Sequence, residues 1–442
     1  MIEVMKMDPL IRIVLSEQKL PPARQYKWSV YAYHFQKGNA NYIYNTLTKQ
    51  CYLLEASDNA INTRNLYTTL DMDNNASLGQ LAKDYFLVQE HEDEDLLYEN
   101  LTEIARSLKH RKQKKGFTRF TILPTTACNA RCFYCFEAHK KPVTMTPEMI
   151  EQVTSYILSS RYDGKIHLHW FGGEPLICSK AIDTICRRLR QQSVDFYSTM
   201  VSNGSLITDE IADNMAGIWN LELIQISLDG DETEYNHRKQ YHTAKNSPYR
   251  VVMDHIGILL RHGIKVRLRC NVDSRNLNSC HRLIEDLNCR FPDKTNLSAY
   301  FTPLYEVQAK ENSFSVWESC FGMNDKLAAY GFSEKSGSNL HQLALQYCMA
   351  QNPHNNIVIA PDGLLYTCEH CLPGTAIGTI TNGISENNIL KQYSSYPPVP
   401  KKCSGCAFLP NCTTFSLCPV TRSSCKELQE HALLRSLHRE LS

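Results

Sequence analysis

The sequence predicts an α/β protein with a small α+β region before the central domain and a cysteine-rich region after it. The chain has 442 residues, which is enough for two or three domains. From 117 to about 305, short apolar stretches alternate with helical ones, which is typical of a parallel sheet with helical crossovers. Eighteen cysteines are unevenly spread, with three at 128–135 and eight in the last hundred residues. Clustered thiols indicate metal binding or catalysis more often than disulfides in a reduced compartment.

The composition of the chain indicates which binding partners and which cellular compartment to expect. The 47 basic and 46 acidic side chains give a net charge of +1, so neither nucleic acid nor an anionic membrane is an expected partner. Arg12 interrupts the short apolar stretch near the N-terminus, which does not resemble a signal peptide. No uncharged run approaches the roughly 20 residues of a membrane helix. We therefore expect a cytoplasmic protein with reduced thiols.

The N-terminal region, 1–105, begins with aromatic runs broken by turns. Residues 25–56 predict a small antiparallel sheet, and helices are expected near 76–88 and 93–109. The basic segment 106–116 is interpreted as a solvated linker rather than a nucleic-acid patch, because the rest of the chain has no matching basic excess.

The central region, 117–305, contains the clearest strand–helix repetition. Thr146 is the expected N-cap of one helix, with Pro147 in its first turn. The predicted strands are 118–123, 165–170, 197–202, 223–228, 264–272 and 297–303.

Several of these strands alternate apolar and polar residues, unlike the continuous apolar strands of a doubly covered sheet. In 264–272, Val266 and Leu268 share one face while Arg267 and Arg269 share the other. The stretches 165–170 and 223–228 show the same alternation. We expect the apolar face to pack on helices and the polar face to line a wet interior that holds a charged ligand. The alternative is that some of these strands are exposed edges.

Cys128, Cys132 and Cys135 follow the first predicted strand. Three thiolates hold three corners of a four-iron, four-sulfur cube and leave the fourth iron open to a ligand. The spacing alone also permits a structural zinc site with His139 as fourth ligand, or three unrelated thiols.

The C-x3-C-x2-C spacing, with Tyr134 before the last cysteine, resembles the signature of the radical S-adenosylmethionine (SAM) enzymes, and the resemblance extends over about 118–305. Residues 171–175 read FGGEP and look like the family's GGEP motif, which holds the SAM amino group. Gly172 and Gly173 permit close backbone approach, and Glu174 can accept a hydrogen bond from an ammonium group.

Two further strand ends match in order, so ordinary βα turns are a weaker explanation. VSNG at 201–204 implies that Ser202 and Asn203 approach SAM. QISLDG at 225–230 implies that Ser227 binds the SAM carboxylate, with Lys239 as the basic partner.

The resemblance implies a partial (β/α)6 radical SAM barrel with a [4Fe-4S] cluster that binds SAM, and Tyr134 near the adenine. It also implies a 5′-deoxyadenosyl radical that removes hydrogen from the substrate, and an external electron donor such as flavodoxin or ferredoxin. The protein would orient the cofactor and exclude water.

The C-terminal region, 306–442, resembles the SPASM extension of radical SAM enzymes, which binds two auxiliary [4Fe-4S] clusters. The resemblance implies one cluster on Cys403, Cys406, Cys412 and Cys425, and another on Cys348, Cys368 and Cys418. The spacing before Cys418 departs from the usual pattern, and the second cluster lacks an obvious fourth ligand, for which Cys371 is a candidate. Zinc stays an alternative for the CxxC pairs.

SPASM proteins mostly modify peptides or proteins, and the N-terminal pattern resembles the winged-helix element of maturases for ribosomally made peptides (RiPP maturases). There a leader peptide adds a strand to the sheet edge. The expected function is therefore crosslinking of a precursor peptide, by a thioether or a carbon–carbon bond. The alternatives are a stability or dimerisation role for the N-terminal region, an anaerobic sulfatase-maturating enzyme, and a non-catalytic iron–sulfur or zinc protein on a degenerate barrel.

Overall fold

The computed structural model describes residues 1–16, 25–55, 67–68, 75–110, 115–138, 140–242, 247–304, 314–332, 340–343, 345, 349–371, 373–394, 399–412 and 426–441. It divides into two compact units. The first comprises 1–113, 336–347 and 397–442, and the second comprises 114–335 and 348–396.

The strands are short and follow one another closely in both units. In chain order they are β1 (Ile2–Met5), β2 (Gln25–Trp28), β3 (Ala32–Lys37), β4 (Ala40–Asn45), β5 (Cys51–Leu54), β6 (Tyr67–Thr68), β7 (Leu87–Gln89), β8 (Arg119–Ile122), β9 (Ile166–Trp170), β10 (Phe196–Ser202), β11 (Leu221–Ser227), β12 (Lys265–Val272), β13 (Leu297–Pro303), β14 (Asn356–Ile359), β15 (Leu364–Tyr366), β16 (Gly378–Thr379) and β17 (Gly383–Ile384).

The α-helices alternate with the parallel strands of the second unit and flank the sheets of the first. In chain order they are α1 (Pro9–Ser16), α2 (Ala76–Lys83), α3 (Glu94–His110), α4 (Pro147–Ser160), α5 (Ser179–Gln191), α6 (Asp209–Ala216), α7 (Glu232–Lys239), α8 (Pro248–Arg261), α9 (Leu277–Arg290), α10 (Phe314–Ala329), α11 (Asn388–Ser394) and α12 (Lys426–Glu440).

The first unit contains an antiparallel sheet of order β1-β5-β4-β3 and a smaller sheet of order β6-β2-β7. The aromatic runs predicted as a sheet form β3, β4 and β5, which pair in register as a meander. Predicted helix 76–88 ends at Lys83, and Leu87–Gln89 pairs with β2 as a strand instead. The last turn predicted for the helix at 76–88 does not form, because the backbone of Tyr85 adopts a left-handed conformation, with φ 62°.

The second unit is built on one sheet of order β13-β12-β11-β10-β9-β8-β14-β15-β16-β17. The six predicted strands of the central region are all present, and β8 to β13 are parallel. Strand β14, which comes from the cysteine-rich region, pairs parallel with β8 and extends the sheet. Thr146 caps α4 as predicted, since its hydroxyl accepts a 3.2 Å hydrogen bond from Met149 N.

The alternation of residues in the strands follows the two faces of this sheet. Ile166, Leu168, Val266 and Leu268 are buried in one continuous apolar core with the surrounding helices. The polar residues between them lie on the other face, because successive strand side chains point to opposite sides.

That polar face carries arginines from two strands, Arg119 of β8 and Arg269 of β12. Burial raises the pKa of Glu369, and these two arginines both act on its carboxyl and lower the pKa. The closure of the sheet into the predicted partial barrel stays a prediction.

Two boundaries differ from those expected. Helix α3 continues to His110, so residues 106–110 of the predicted linker are helical, and 111–114 lie outside the described residues. The region after 305 does not form a unit of its own, since 348–396 belongs to the second unit and 397–442 to the first. The pairing of β14 with β8 explains this division. Among the described residues, no helix is both long and apolar enough to cross a membrane.

Candidate active site

The cysteine loop leaves the carboxyl end of β8. Cys128, Cys132 and Cys135 are free thiols, and Cys135 N donates a 3.1 Å hydrogen bond to Cys132 O. Burial, together with the neighbouring Glu174, Cys132 and Cys135, raises the pKa of Cys128 to about 11. The Cys128 thiol therefore needs a bound cationic group to become a thiolate at neutral pH.

In the part of the chain that the structure describes, no group of three His, Cys, Asp or Glu side chains is placed to hold a single metal ion. A four-iron cube is larger than one ion and takes its three protein ligands at its corners. His139 lies outside the described residues.

The turn after β9 packs directly on the cysteine loop. Gly173 N donates to Thr125 O at 3.1 Å, and Glu174 N donates to Ala127 O at 2.9 Å. A Cβ on Gly172 would come within 2.3 Å of Thr125 O, and one on Gly173 would come equally close to Ala127 O. The two glycines are thus required for the approach of two backbones.

Glu174 is fully buried and joins this turn to the end of β10. Its carboxylate accepts hydrogen bonds from Asn203 N at 2.7 Å, Ser202 Oγ at 2.9 Å and Leu176 N at 3.1 Å. Burial raises the pKa of Glu174 to about 7, against the effect of these three donors.

Asn203 connects the end of β10 to the cysteine loop. Its Nδ2 donates to Asn129 Oδ1 at 2.8 Å and lies 3.9 Å from Cys128 Sγ. Its Oδ1 accepts from Ser205 N at 2.9 Å. The first three predicted motifs are therefore held together by direct hydrogen bonds.

A buried ion pair lies at the end of β11. Lys239 Nζ is 2.9 Å from Asp229, and it donates to Ser227 Oγ at 2.8 Å and to the Tyr134 hydroxyl at 2.7 Å. The Tyr134 hydroxyl also donates to Asp229. Burial opposes both charges, but Asp229 holds the pKa of Lys239 well above its usual value. The structure thus brings together Ser227, Lys239 and Tyr134, all predicted from the sequence.

The adjacent Arg238 has a different role. It is buried and paired with Asp273 at 2.8 Å and with Glu234. Lys239, rather than Arg238, is therefore the cation beside Ser227.

This set of donors fits the cofactors implied by the sequence. Three thiols lie on one loop, and a serine and a lysine suited to a carboxylate lie on a neighbouring strand end. All belong to the second unit and to the carboxyl edge of a parallel sheet, where sites of this architecture form.

The polar face of the sheet carries His167 and His169. His167 Nε2 and His169 Nδ1 both share hydrogen bonds with Thr199 Oγ1, at 2.8 and 2.7 Å. Burial and then Arg119 lower the pKa of His167 to about 4 and that of His169 to about 3. The histidines are therefore neutral at pH 7.

The loop after β15 also reaches this face. The ring of His370 lies 4.4 Å from that of Phe136, which directly follows Cys135. Cys371 N donates to Cys368 O at 3.1 Å. Cys368 and Cys371 are thus adjacent, whereas Cys348 lies outside the described residues.

The remaining predicted ligands lie in the first unit. Cys406 N donates to Cys403 O at 3.1 Å, and Asp95 accepts from Gly405 N at 3.1 Å. Lys49, which is fully buried, donates to Asn411 beside Cys412. Cys418 and Cys425 lie outside the described residues, so the two auxiliary ligand sets stay predictions.

The cysteine loop and the strand-end motifs lie in the part of the chain that a family model matches. Residues 122–276 match the model of the radical SAM superfamily. The chain therefore contains a radical SAM domain over that range.

A curated relative is the S-adenosylmethionine-dependent nucleotide dehydratase of Thermoplasmatales archaeon (strain ISO4-H5). It is 30% identical over 150 residues, which is 34% of this chain and 50% of the relative. The match thus spans about half the length of that protein.

Two solved structures share the fold. A histidine-tagged form of anSMEcpe with bound AdoMet aligns with a TM-score of 0.56 at 18% identity, over 72% of this chain and 97% of that one. SuiB of Streptococcus suis bound to the precursor peptide SuiA aligns with a TM-score of 0.54 at 13% identity, over 91% of this chain and all of that one.

Sequence reasoning missed several residues of the site. Asp229 lies within the quoted QISLDG stretch, but its pairing with Lys239 was not predicted. Glu369 and His370 were also missed, although their position between Cys368 and Cys371 placed them beside predicted metal ligands. Arg267 and Arg269 of β12 were recognised only as part of a polar face, and Arg119 of β8 was missed.

Proposed function

We propose that this chain is a radical SAM maturase that abstracts hydrogen from a ribosomally made precursor peptide and forms an intramolecular thioether or carbon–carbon crosslink. The observation that carries the proposal is the convergence of three strand-end motifs on the Cys128–Cys135 loop. Glu174, Asn203 and Lys239 link the four segments through hydrogen bonds.

The residues for the cofactors follow from this arrangement. Cys128, Cys132 and Cys135 would hold the [4Fe-4S] cluster. Ser227 and Lys239 would bind the SAM carboxylate. Glu174 and the turn at Gly172–Gly173 would bind the SAM amino group. When bound, the cluster would supply one electron for the reductive cleavage of SAM into methionine and the 5′-deoxyadenosyl radical. We also propose that this electron comes from an external donor such as flavodoxin or ferredoxin.

The protein's own contribution is to orient the cofactor and to exclude water. Glu174 and Asp229 are fully buried, and Lys239 is 1% exposed. A buried lysine that is already hydrogen-bonded to Ser227 and Tyr134 is pre-organised, so little entropy is lost when a carboxylate binds. A radical formed in such an enclosed site is protected from solvent.

A peptide substrate is supported by the neighbours that bind peptides. SuiB was solved with the precursor peptide SuiA, and anSMEcpe with the Cp18Cys peptide. The SuiB alignment covers 91% of this chain, against 72% for anSMEcpe.

The first unit offers an edge for such a peptide. Strand β1 ends its sheet and pairs only with β5 among the described strands. Ile2 and Val4 of that strand are 49% and 38% exposed. Unpaired backbone groups with flanking apolar side chains suit strand addition by a leader peptide.

The experiment is anaerobic co-expression of the full chain with a short peptide encoded beside its gene, followed by mass spectrometry. A loss of two hydrogen atoms from the peptide, absent when Cys128, Cys132 and Cys135 are all replaced by Ala, is expected. Cys289→Ala is the matched control, because that thiol is exposed and lies outside both cysteine clusters. Fragmentation then distinguishes a crosslink from formylglycine. An unchanged peptide mass, while the reduced protein still cleaves SAM, would refute the maturase assignment for that peptide and favour the sulfatase-maturating alternative.

A further inference from the structure

The side chain of Asn203, which directly follows β10, lies beside the first cysteine of the cysteine loop. Its Nδ2 is 3.9 Å from Cys128 Sγ, the distance of a long hydrogen bond to sulfur. The same nitrogen donates to Asn129 Oδ1 at 2.8 Å. An amide nitrogen carries two hydrogen atoms, so one is used by Asn129 and the second is available to the sulfur atom of Cys128.

The orientation of this amide is fixed by its other partners. Asn203 Oδ1 accepts from the backbone N of Ser205 at 2.9 Å and from Ser205 Oγ at 2.6 Å. A backbone N–H can only donate, so the amide oxygen is the atom at Ser205 and the nitrogen is the atom at Cys128. Asn129 Nδ2 donates to Ser205 Oγ at 2.9 Å, which closes a ring of three side chains. The Glu174 carboxylate holds the backbone N of Asn203 at 2.7 Å.

A hydrogen bond to a ligand sulfur changes how readily an iron–sulfur cluster accepts an electron. Reduction of a [4Fe-4S] cluster adds one negative charge, part of which is carried by the thiolate ligands. An N–H dipole directed at a thiolate therefore stabilises the reduced state more than the oxidised state. The low dielectric of a buried site strengthens this interaction, and Asn203 is only 9% exposed.

We propose that Asn203 raises the reduction potential of the cluster on Cys128, Cys132 and Cys135 by donating a hydrogen bond to the Cys128 thiolate. This inference rests on the proposed function, which assigns a [4Fe-4S] cluster to these three thiols. The electron comes from the external flavodoxin- or ferredoxin-type donor, and no covalent bond is made or broken in this step. Asn203 acts through Cys128 and is therefore a positioning residue, in addition to its predicted approach to SAM.

The first measurement is a redox titration of the full chain, reconstituted with iron and sulfide under anaerobic conditions and followed by electron paramagnetic resonance (EPR). The relevant cluster is the one whose EPR signal changes when SAM is added to the natural chain. Asn203→Leu keeps the branched shape of the side chain but cannot donate a hydrogen bond. At the potential that half-reduces the natural cluster, this variant should lower the ratio of reduced to oxidised cluster by about three- to tenfold. A tenfold fall corresponds to a shift of about 59 mV for a one-electron couple.

Two further substitutions are controls for the loss of the donor. Ser205→Ala removes a neighbour of the amide but leaves the Asn203 donor in place, so it should change the ratio much less than Asn203→Leu. Asn278→Leu makes the same substitution at an exposed asparagine of α9 and should leave the ratio unchanged. The iron content per chain is measured for each variant, so that a changed potential is not confused with a lost cluster.

A second measurement uses the natural chain and decides the question if Asn203→Leu does not assemble the cluster. Asparagine labelled with ¹⁵N in the side-chain amide alone is incorporated during expression. Pulsed EPR of the reduced SAM-sensitive cluster should then show a ¹⁵N coupling that is absent from the unlabelled chain. The coupling should persist in labelled Asn129→Asp, because this variant loses the other nearby amide but keeps an oxygen that accepts from Asn203.

The outcomes separate this inference from the proposed function. A lowered ratio in Asn203→Leu at full iron content, together with the ¹⁵N coupling, supports the hydrogen bond. A SAM-sensitive cluster whose potential is unchanged in Asn203→Leu, or which shows no ¹⁵N coupling in the natural chain, contradicts the hydrogen bond and leaves the proposed function standing. If no iron–sulfur signal responds to SAM, the cluster assignment is wrong and the inference is wrong with it.

Discussion

Lys239 Nζ lies 2.9 Å from the Asp229 carboxylate, and both side chains are almost completely inaccessible to solvent. The pair joins helix α7 to the end of β11 and is bridged by the Tyr134 hydroxyl of the cysteine loop. Asp229 also accepts two hydrogen bonds from Asn271, one from the backbone N at 3.0 Å and one from the side-chain Nδ2 at 2.9 Å. The ion pair is thus the point at which the cysteine loop and two strand ends meet.

Asp229→Asn should strongly destabilise the protein. It leaves Lys239 buried without its counter-ion, which typically costs about 3–5 kcal/mol. The free energy of unfolding, measured by guanidinium denaturation of the metal-free chain, tests this expectation. Asp254→Asn, at a carboxylate whose side chain is 69% exposed, should change it by less than about 1 kcal/mol. Equal effects of the two substitutions would contradict the central role of the pair.

Replacing both residues of the Asp229–Lys239 ion pair separates the effect on cofactor binding from the effect on folding. The double variant Asp229→Asn with Lys239→Met removes both charges, so it should be more stable than Asp229→Asn alone. Its affinity for SAM should fall by at least about tenfold, since the cation for the SAM carboxylate is lost. Equilibrium dialysis of the reconstituted protein measures this, with iron content as the control. Unchanged SAM affinity at normal iron content would remove Lys239 from the cofactor site.

Gly173→Ala should prevent assembly of the iron site. The added Cβ would lie 2.3 Å from Ala127 O and push the GGEP turn away from the cysteine loop, at a cost of about 1–3 kcal/mol. Iron per chain after anaerobic reconstitution should fall accordingly. Gly322→Ala is the control, because its Cβ meets no atom within 4 Å. Normal iron content in Gly173→Ala would show that this close approach is not needed.

Glu174 should make stability depend on pH. Burial raises its pKa from 4.5 to about 7 in the folded chain. The folded state therefore favours the protonated form, and the stability that it contributes below pH 4.5 is lost as the pH rises through 7. This difference corresponds to about 3 kcal/mol.

The comparison with Glu174→Gln isolates that contribution. The free energy of unfolding of the natural chain relative to this variant should decrease between pH 5 and pH 7.5. Glu222→Gln, at a half-exposed carboxylate, should show no such trend relative to the natural chain. A difference that stays constant with pH would mean that Glu174 is not held in its protonated form.

The auxiliary clusters are tested by iron content. Replacing Cys406 and Cys412 together by Ala should lower the iron content by about four atoms per chain if they hold a [4Fe-4S] cluster. Cys371→Ala tests whether Cys371 is the fourth ligand of the second predicted cluster. An unchanged iron content per chain would exclude Cys371 as a ligand. Cys289→Ala, at an exposed thiol outside both clusters, should leave the iron content intact.

Much of the site was accessible from the sequence because its motifs are local and follow parallel strands. Cys128, Glu174 and Asn203 lie in the segments that follow three strands of the sheet, and Ser227 is the last residue of a fourth. Since the carboxyl ends of parallel strands meet at one edge, their order along the chain was enough to predict that they lie together. The alternation within 264–272 likewise predicted which face packs on the helices, because the strand period is two.

Only the tertiary structure decided how these residues are paired and which strand extends the sheet. The contact of Lys239 with Tyr134 spans 105 positions, and Asn355 O accepts from Thr118 N although 237 positions separate the two residues. Strand propensity does not specify such partners, because the pairing of distant segments depends on packing that the local pattern does not encode. The sequence by itself determined the order of the radical SAM motifs along the chain and the alternation that gives each strand one apolar and one polar face. The pairing of β14 with β8, which joins two segments far apart in the chain, depended on the folded sheet.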